Sequence, residues 1–171
     1  MGITRCGRHK KKKSGGARHQ MQKKRKNMMG RQPSNTKIGE QRVKDLRVRG
    51  GNIKKRALRL NVGSFTMFNG VENVRADAKI EQVIYHPSNN ELMRTNTVTK
   101  SAVVKVSADN FDVKGVESVD KVLGVMKSRG FLYAIVDSRP GQDGVANGHI
   151  LQGPELDFYQ SKLKKGRIEV A

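Results

Sequence analysis

Between Arg5 and Lys37 the chain has no Val, Leu, Ile, Phe, Tyr or Trp. Ordering a residue costs roughly 1–2 kcal/mol of backbone entropy. A stretch without large apolar side chains has nothing to bury against that cost, so it builds no core of its own. The same stretch is crowded with cations. Of the first sixty residues 21 are Lys or Arg, opposed only by Glu40 and Asp45, so this part carries +19 of the chain's net +20. From Asn61 onward 14 basic residues meet 13 acidic ones. A field so one-sided attracts a polyanion, through phosphate neutralisation and counterion release.

The basic lead reads as an arm. Gly2, Gly7, Gly15, Gly16, Gly30 and Gly39 interrupt it, and Pro33 follows. Glycine costs a helix about 1 kcal/mol relative to Ala, so no long helix crosses Ser14–Gly16. A short helix fits Ala17 to Met29, with Met21, Met28 and Met29 as modest apolar surface. Such an arm is either a solvated tail or a segment that orders on an anion. The lack of any acid before Glu40 favours the second.

Strand patterning begins at Val43. Leu46 and Val48 alternate with Arg47 and Arg49, and Gly50-Gly51-Asn52 makes a hairpin turn. The return strand sets Leu58, Leu60 and Val62 against Ala57, Arg59 and Asn61. One face is then core and the other a guanidinium face of Arg47, Arg49 and Arg59, with Lys54, Lys55 and Arg56 near the same end. That face is either wet surface or an RNA contact.

Gly63 to Ala78 reads as a loop whose Phe65 and Phe68 stack on bases or, more commonly, fold back onto the core. Lys79–Tyr85 is a strand, His86 to Asn90 a turn, and Leu92–Val106 a long strand broken near Thr99–Ser101. Val119, Val122, Leu123 and Met126 recur at helical spacing, between a Ser118 cap and a Gly130 stop. Phe131–Val136 is a buried strand, Asp137–Gly148 a turn region, and His149–Leu151 a brief strand. Glu155–Lys165 is a terminal helix packing through Leu156, Tyr159 and Leu163.

Catalytic patterns are absent: there is no phosphate loop, dinucleotide fingerprint or metalloprotease motif. His9, His19, His86 and His149 match no zinc spacing and read as phosphate donors or surface residues. The single cysteine, Cys6, allows neither an intrachain disulfide nor a cysteine zinc site. No run approaches the roughly 18 apolar residues of a membrane span, and no secretory signal is expected. In the neutral part, Arg139-Pro140-Gly141-Gln142-Asp143-Gly144 is the most motif-like stretch. It is a tight turn, with an interaction role open for Arg139 and Gln142. Composition leaves three classes: an RNA-bound structural protein, a chromatin-type DNA binder, and an enzyme on nucleic acid.

Longer motifs separate them. Met1-Gly2-Ile3-Thr4-Arg5, Arg8-His9-Lys10, Gly15-Gly16, Lys23-Lys24-Arg25-Lys26, Gly30-Arg31 and Asn35-Thr36-Lys37-Ile38-Gly39 follow in order. So do Val48-Arg49-Gly50-Gly51-Asn52, Arg56-Ala57-Leu58-Arg59-Leu60, Ser88-Asn89-Asn90-Glu91-Leu92, Ser138-Arg139-Pro140-Gly141-Gln142 and Glu155-Leu156-Asp157-Phe158-Tyr159. Over nearly the whole chain this resembles the "e" family of archaeal and eukaryotic small-subunit ribosomal protein number eight, unrelated to the bacterial protein of that number. The region from Asp109 to about Gly130 looks shorter than in typical eukaryotic members. Arg8 stands where an aromatic is common, and Cys6 where an acid is.

The resemblance implies a mainly β fold: a β-barrel-like domain over 43–171 with a shortened helical insert at about 109–130, behind an extended basic arm over 1–42. It implies a structural constituent of the small ribosomal subunit that supports assembly and translation. The expected partners are small-subunit rRNA and neighbouring small-subunit proteins, with no membrane, small-molecule substrate, cofactor or metal. The expected location is the cytoplasmic ribosome, with a nucleolar stage during assembly. The expected RNA contacts are Arg5, Arg8, His9, Lys10, Lys11, Lys12, Lys13, Arg18, Lys23, Lys24, Arg25, Lys26, Arg31, Lys37, Arg42, Lys44, Arg47, Arg49, Lys54, Lys55, Arg56 and Arg59.

Overall fold

A five-stranded closed barrel holds the core of the chain. The structure, a computed structural model, describes residues 2–20, 22–70, 72–111 and 121–165. Two compact units divide it, Met1–Pro33 and Ser34–Ala171. The second begins with a three-stranded sheet: β1 (Lys37–Ile38), β2 (Arg42–Arg47) and β3 (Ile53–Leu60), in the order β1-β3-β2. The barrel follows as β4 (Val62–Phe68), β5 (Asn73–Tyr85), β6 (Val103–Ser107), β7 (Phe131–Val136) and β8 (Asn147–Ile150). It closes where β8 runs parallel to β4, Phe65 opposite Gly148. Among the described residues four helices complete the unit: α1 (Asn90–Arg94), α2 (Lys121–Ser128), α3 (Pro140–Asp143) and α4 (Gly153–Lys165).

The expected loop from Gly63 to Ala78 is instead a hairpin, β4 with β5. Phe65 and Met67 point into the barrel and are buried, while Phe68 is half exposed. On β5, Ala78 and Ile80 turn to the core between exposed Asp77, Lys79 and Glu81. Expected strand at Leu92 is instead α1, capped by the Asn89 side chain accepting from the Glu91 N–H at 2.9 Å. The break at Thr99–Ser101 is present, Ser101 adopting φ 66°, and β6 starts two residues later.

β6 and β7 are buried on both faces: Val103 and Val104 are adjacent, as are Leu132, Tyr133 and Ala134. A barrel interior lies on one side of these strands. The other side is covered, with α2 packing on β7. Gly130, at φ 81°, ends the α2 turn into β7 as expected. The expected Ser118 cap and Val119 lie outside the described residues, as does the stretch 112–120 of the 109–130 insert. α4 seals the unit with buried Leu156 and Leu163, and its Tyr159 ring meets Tyr85 at 5.8 Å.

Ser34 onward is tied to this unit by polar contacts. Thr36 is buried, its hydroxyl donating to the Ala57 carbonyl at 2.8 Å, and its carbonyl accepts from the Val98 N–H at 2.8 Å. α3, formed by the Pro140-Gly141-Gln142-Asp143 motif, packs on β3. A Cβ on Gly144 would come within 2.6 Å of the Lys55 Cβ and 3.2 Å of Val43, so glycine permits this approach.

Within the first unit the chain doubles back. The Arg5 N–H donates to the Met28 carbonyl at 2.8 Å and the Gly30 N–H to Ile3 at 2.9 Å, with Thr4 bridged to Met29. At the far end Lys11 bridges Ala17 around a turn with Gly15 at φ 83°. The helix expected over Ala17–Met29 is reduced to one 3-10 turn, Lys26–Met28. Ala17 is committed to the bridge, and one turn offers too few internal bonds to extend.

Candidate nucleic-acid interface

A bulge decides which cations share a surface on the β2–β3 hairpin. Arg42 lies opposite Arg59 but Val43 lies opposite Ala57, so β3 carries an extra residue at that step. Beyond it Lys44 opposes Arg56 and Leu46 opposes Lys54. Arg42, Lys44 and Leu46 alternate along β2 and so share a face, and directly opposite residues share one too. One outer face therefore carries Arg42 with Arg59, Lys44 with Arg56, and Lys54 beside Leu46. The inner face carries Val43 with buried Ala57, Asp45 with Lys55, and Arg47 with Ile53.

This corrects the unbulged alternation. Arg47, Arg49 and Arg59 do not form one face. Arg47 opposes Ile53 at the turn end, on the side of Ala57, and Arg49 lies in the turn itself. Arg59 belongs with Arg42 at the other end. Ala57 is fully buried rather than outward, and Val62, expected in the core, is 47% exposed. Leu60 keeps its place in the core.

Like charges directly across a ladder destabilise it. Two successive cross-strand pairs here are cation on cation. Two ammonium groups are also held by neutral acceptors. Lys54 Nζ donates to Gln142 Oε1 at 2.6 Å. Lys37 Nζ donates to the Thr95 carbonyl at 3.0 Å and to Thr97 Oγ1 at 2.6 Å, which uses two of its three donors to anchor β1. The sequence leaves an interaction role open for Gln142; holding Lys54 is the role the fold shows. Arg42, Lys44, Arg47, Arg49, Lys55 and Arg59 are exposed, and Arg56 is half-buried.

In the first unit Arg5, His9, Lys10 to Lys13, Arg18, Lys23 to Lys26 and Arg31 are exposed, and Arg8 is half-buried. The Lys10–Lys13 run reaches the terminal turn, where the Lys12 N–H donates to the Gly16 carbonyl at 2.9 Å. Thr4, Cys6, Arg8, His9, Lys23 and Arg25 are among the residues lining a cavity between the two passes of the chain.

Two histidines have both ring nitrogens engaged within the fold. His86 is buried, its Nδ1 accepting from the Ser88 N–H at 3.2 Å while Nε2 lies 2.6 Å from Thr99 Oγ1. Burial lowers its pKa from the usual histidine value and keeps the ring neutral. His149 sits between Asp137 Oδ2 at 2.7 Å and Glu155 Oε2 at 3.3 Å, both ring nitrogens facing carboxylates. Among the described residues no His, Cys, Asp and Glu group could hold a metal ion, and no helix is long and apolar enough to cross a membrane.

The family model for Ribosomal protein S8e matches residues 5–151, which takes in both basic regions and the barrel. The chain belongs to that family. Relatives extend the likeness to almost full length. Small ribosomal subunit protein eS8A of Schizosaccharomyces pombe is 44% identical over 198 residues, covering 95% of this chain and 98% of the relative. Its Saccharomyces cerevisiae counterpart is 41% identical, with the same coverage. Small ribosomal subunit protein eS8 of Theileria annulata is 42% identical over 186 residues, covering 98% of this chain and all of the relative. These alignments are longer than the 171-residue chain itself, so the relatives carry residues that this chain lacks. The S8e family is one of structural ribosomal proteins, not of enzymes.

Proposed function

We propose that this protein is a structural constituent of the small ribosomal subunit, binding small-subunit rRNA through its basic first unit and the outer face of the β2–β3 hairpin. The observation that carries the reading is the cation ladder, Arg42 with Arg59 and Lys44 with Arg56 directly across the strands. Phosphates set against such a ladder turn a repulsive arrangement into an attractive one. Family membership supplies the partner class, since the relatives are named as small-subunit proteins.

In this reading the narrow first unit threads between RNA helices. The barrel stays nearer the subunit surface, fixes the entry point and packs against neighbouring small-subunit proteins. The protein works on cytoplasmic ribosomes after joining them during nucleolar assembly. In this reading the residues that the longer relatives carry in addition belong to the 109–130 region, which looks shorter here than in typical eukaryotic members.

The test replaces the exposed members of the ladder, Arg42→Gln, Lys44→Gln and Arg59→Gln, in the full chain. Binding to small-subunit rRNA weakens, and its log–log salt slope becomes shallower by roughly 0.7–0.9 for each phosphate no longer neutralised. Unfolding stays at or slightly above wild type, because exposed charges add little to stability and removing each like-charge pair relieves at most about 0.2–1 kcal/mol of repulsion. Unchanged affinity and slope would refute the ladder as an RNA contact.

A further inference from the structure

We propose that the first unit contains a seat for a single phosphate group, in the cavity between its two chain passes, and that the bound phosphate holds the passes together. This rests on the RNA reading above and adds to it a defined subsite, separate from the hairpin ladder. The passes are held at fixed spacing at one end: Thr4 is bridged to Met29, the Arg5 N–H donates to the Met28 carbonyl at 2.8 Å, and Arg5 Nη2 donates to the Asn27 carbonyl at 3.2 Å. A Cβ on Gly30 would lie 2.7 Å from the Ile3 side chain, so glycine lets the passes close there.

Beside this tie the cavity is lined by Thr4 and Cys6 at its half-buried wall and by Arg8, His9, Lys23 and Arg25. No acid occurs before Glu40, so no carboxylate of this segment neutralises the ring. Several unit charges drawn around one cavity repel each other, and a small dianion or a phosphodiester offsets that repulsion. Arg8 and Arg25 offer guanidinium forks suited to paired phosphate oxygens, and Lys23 a point charge. The cavity geometry distinguishes this from a tail that meets phosphates anywhere along its length.

Cys6 is the chain's only cysteine and lies in the lining, so it serves as a reporter. The full chain is alkylated with N-ethylmaleimide, an uncharged reagent, in chloride, in inorganic phosphate at matched ionic strength, and with a short RNA. The expected result is that phosphate and RNA both slow modification several-fold beyond chloride. Arg25→Gln with Lys23→Gln abolishes the inorganic phosphate effect while leaving far-ultraviolet circular dichroism unchanged.

Equal rates in phosphate and chloride overturn the seat. Protection by RNA alone overturns a one-phosphate seat too, because it shows general coverage. Protection by phosphate but not RNA supports the seat and assigns it to free phosphate. Binding of the same samples to rRNA, measured in parallel, separates failure of the seat from failure of the RNA reading.

Discussion

His86 and Gly148 show how single residues set the stability of the barrel. The neutral His86 ring accepts from Ser88 at Nδ1, so its proton sits on Nε2, which donates to Thr99 Oγ1. Burial lowers its folded pKa below the unfolded value of about 6.5. The unfolded chain therefore binds this proton first. The contribution is whole above about pH 6.5 and declines as pH falls toward the lower folded value. The urea midpoint should fall between pH 7.5 and 5.5, and His86→Gln should flatten that dependence while costing about 1–3 kcal/mol through the group left unpaired. An equal pH dependence in the variant would place the titration elsewhere. Gly148 lies in β8, where an added Cβ would strike the Ile135 carbonyl oxygen and stand 3.1 Å from the Val136 Cα. Backbone cannot yield as a flexible side chain does, so Gly148→Ala should cost about 1–3 kcal/mol. Gly2→Ala, with nothing within 4 Å, should not move the thermal midpoint.

At the scale of elements, opposed effects on stability and binding follow from the ladder. Lys44→Glu places an acid opposite Arg56 in place of a cation. An opposite-charge rung favours the sheet by about 0.2–1 kcal/mol, so the urea midpoint should rise while rRNA affinity drops. A variant weakened in both would show that the ladder is not electrostatically strained. The sequence shows the hairpin, its Gly50-Gly51 turn and its wealth of cations, but not the face they share. That depends on a bulge formed jointly by β2 and β3, which alternation in either strand alone does not reveal. β7 is legible to the residue because Phe131–Val136 is an unbroken apolar run closed by turn residues. The Leu156, Tyr159 and Leu163 face of α4 is legible from helical spacing. β5 is legible in principle: Val74, Ala76, Ala78 and Ile80 alternate with Arg75, Asp77 and Lys79, but two alanines make the apolar side weak. α1 is not, because five residues are too short for periodicity, and its only local signal is the Asn89 cap.

For the whole molecule, charge and core are segregated along the chain. The barrel interior has no use for the cations of residues 2–33, and that segment has little apolar surface to exchange for its ordering entropy. The chain clusters into compact units on either side of Pro33 and Ser34, while apolar alternation begins at Val43. The connection at Ser34–Gly39 is made by a buried Thr36 and a bonded Lys37, contacts that hydropathy does not register. Free protein should therefore be cut by trypsin at Arg18, Lys23 to Lys26 and Arg31, all exposed. The resistant fragment should start at Gln32, because β1–β3 hold Lys37, Arg42, Lys44 and Arg47 in extended, paired backbone and Arg49 sits in the tight turn between β2 and β3. In assembled small subunits the same sites should be shielded by RNA. N-terminal sequencing and mass measurement of the fragment distinguish the outcomes. A start near Val43 would mean that the Thr36 and Lys37 contacts do not hold β1 in the free protein. Resistance at Arg18 and Lys23 in the free chain would mean that the first unit is stable without an anion, and the division into a core and an RNA-ordered arm would be wrong.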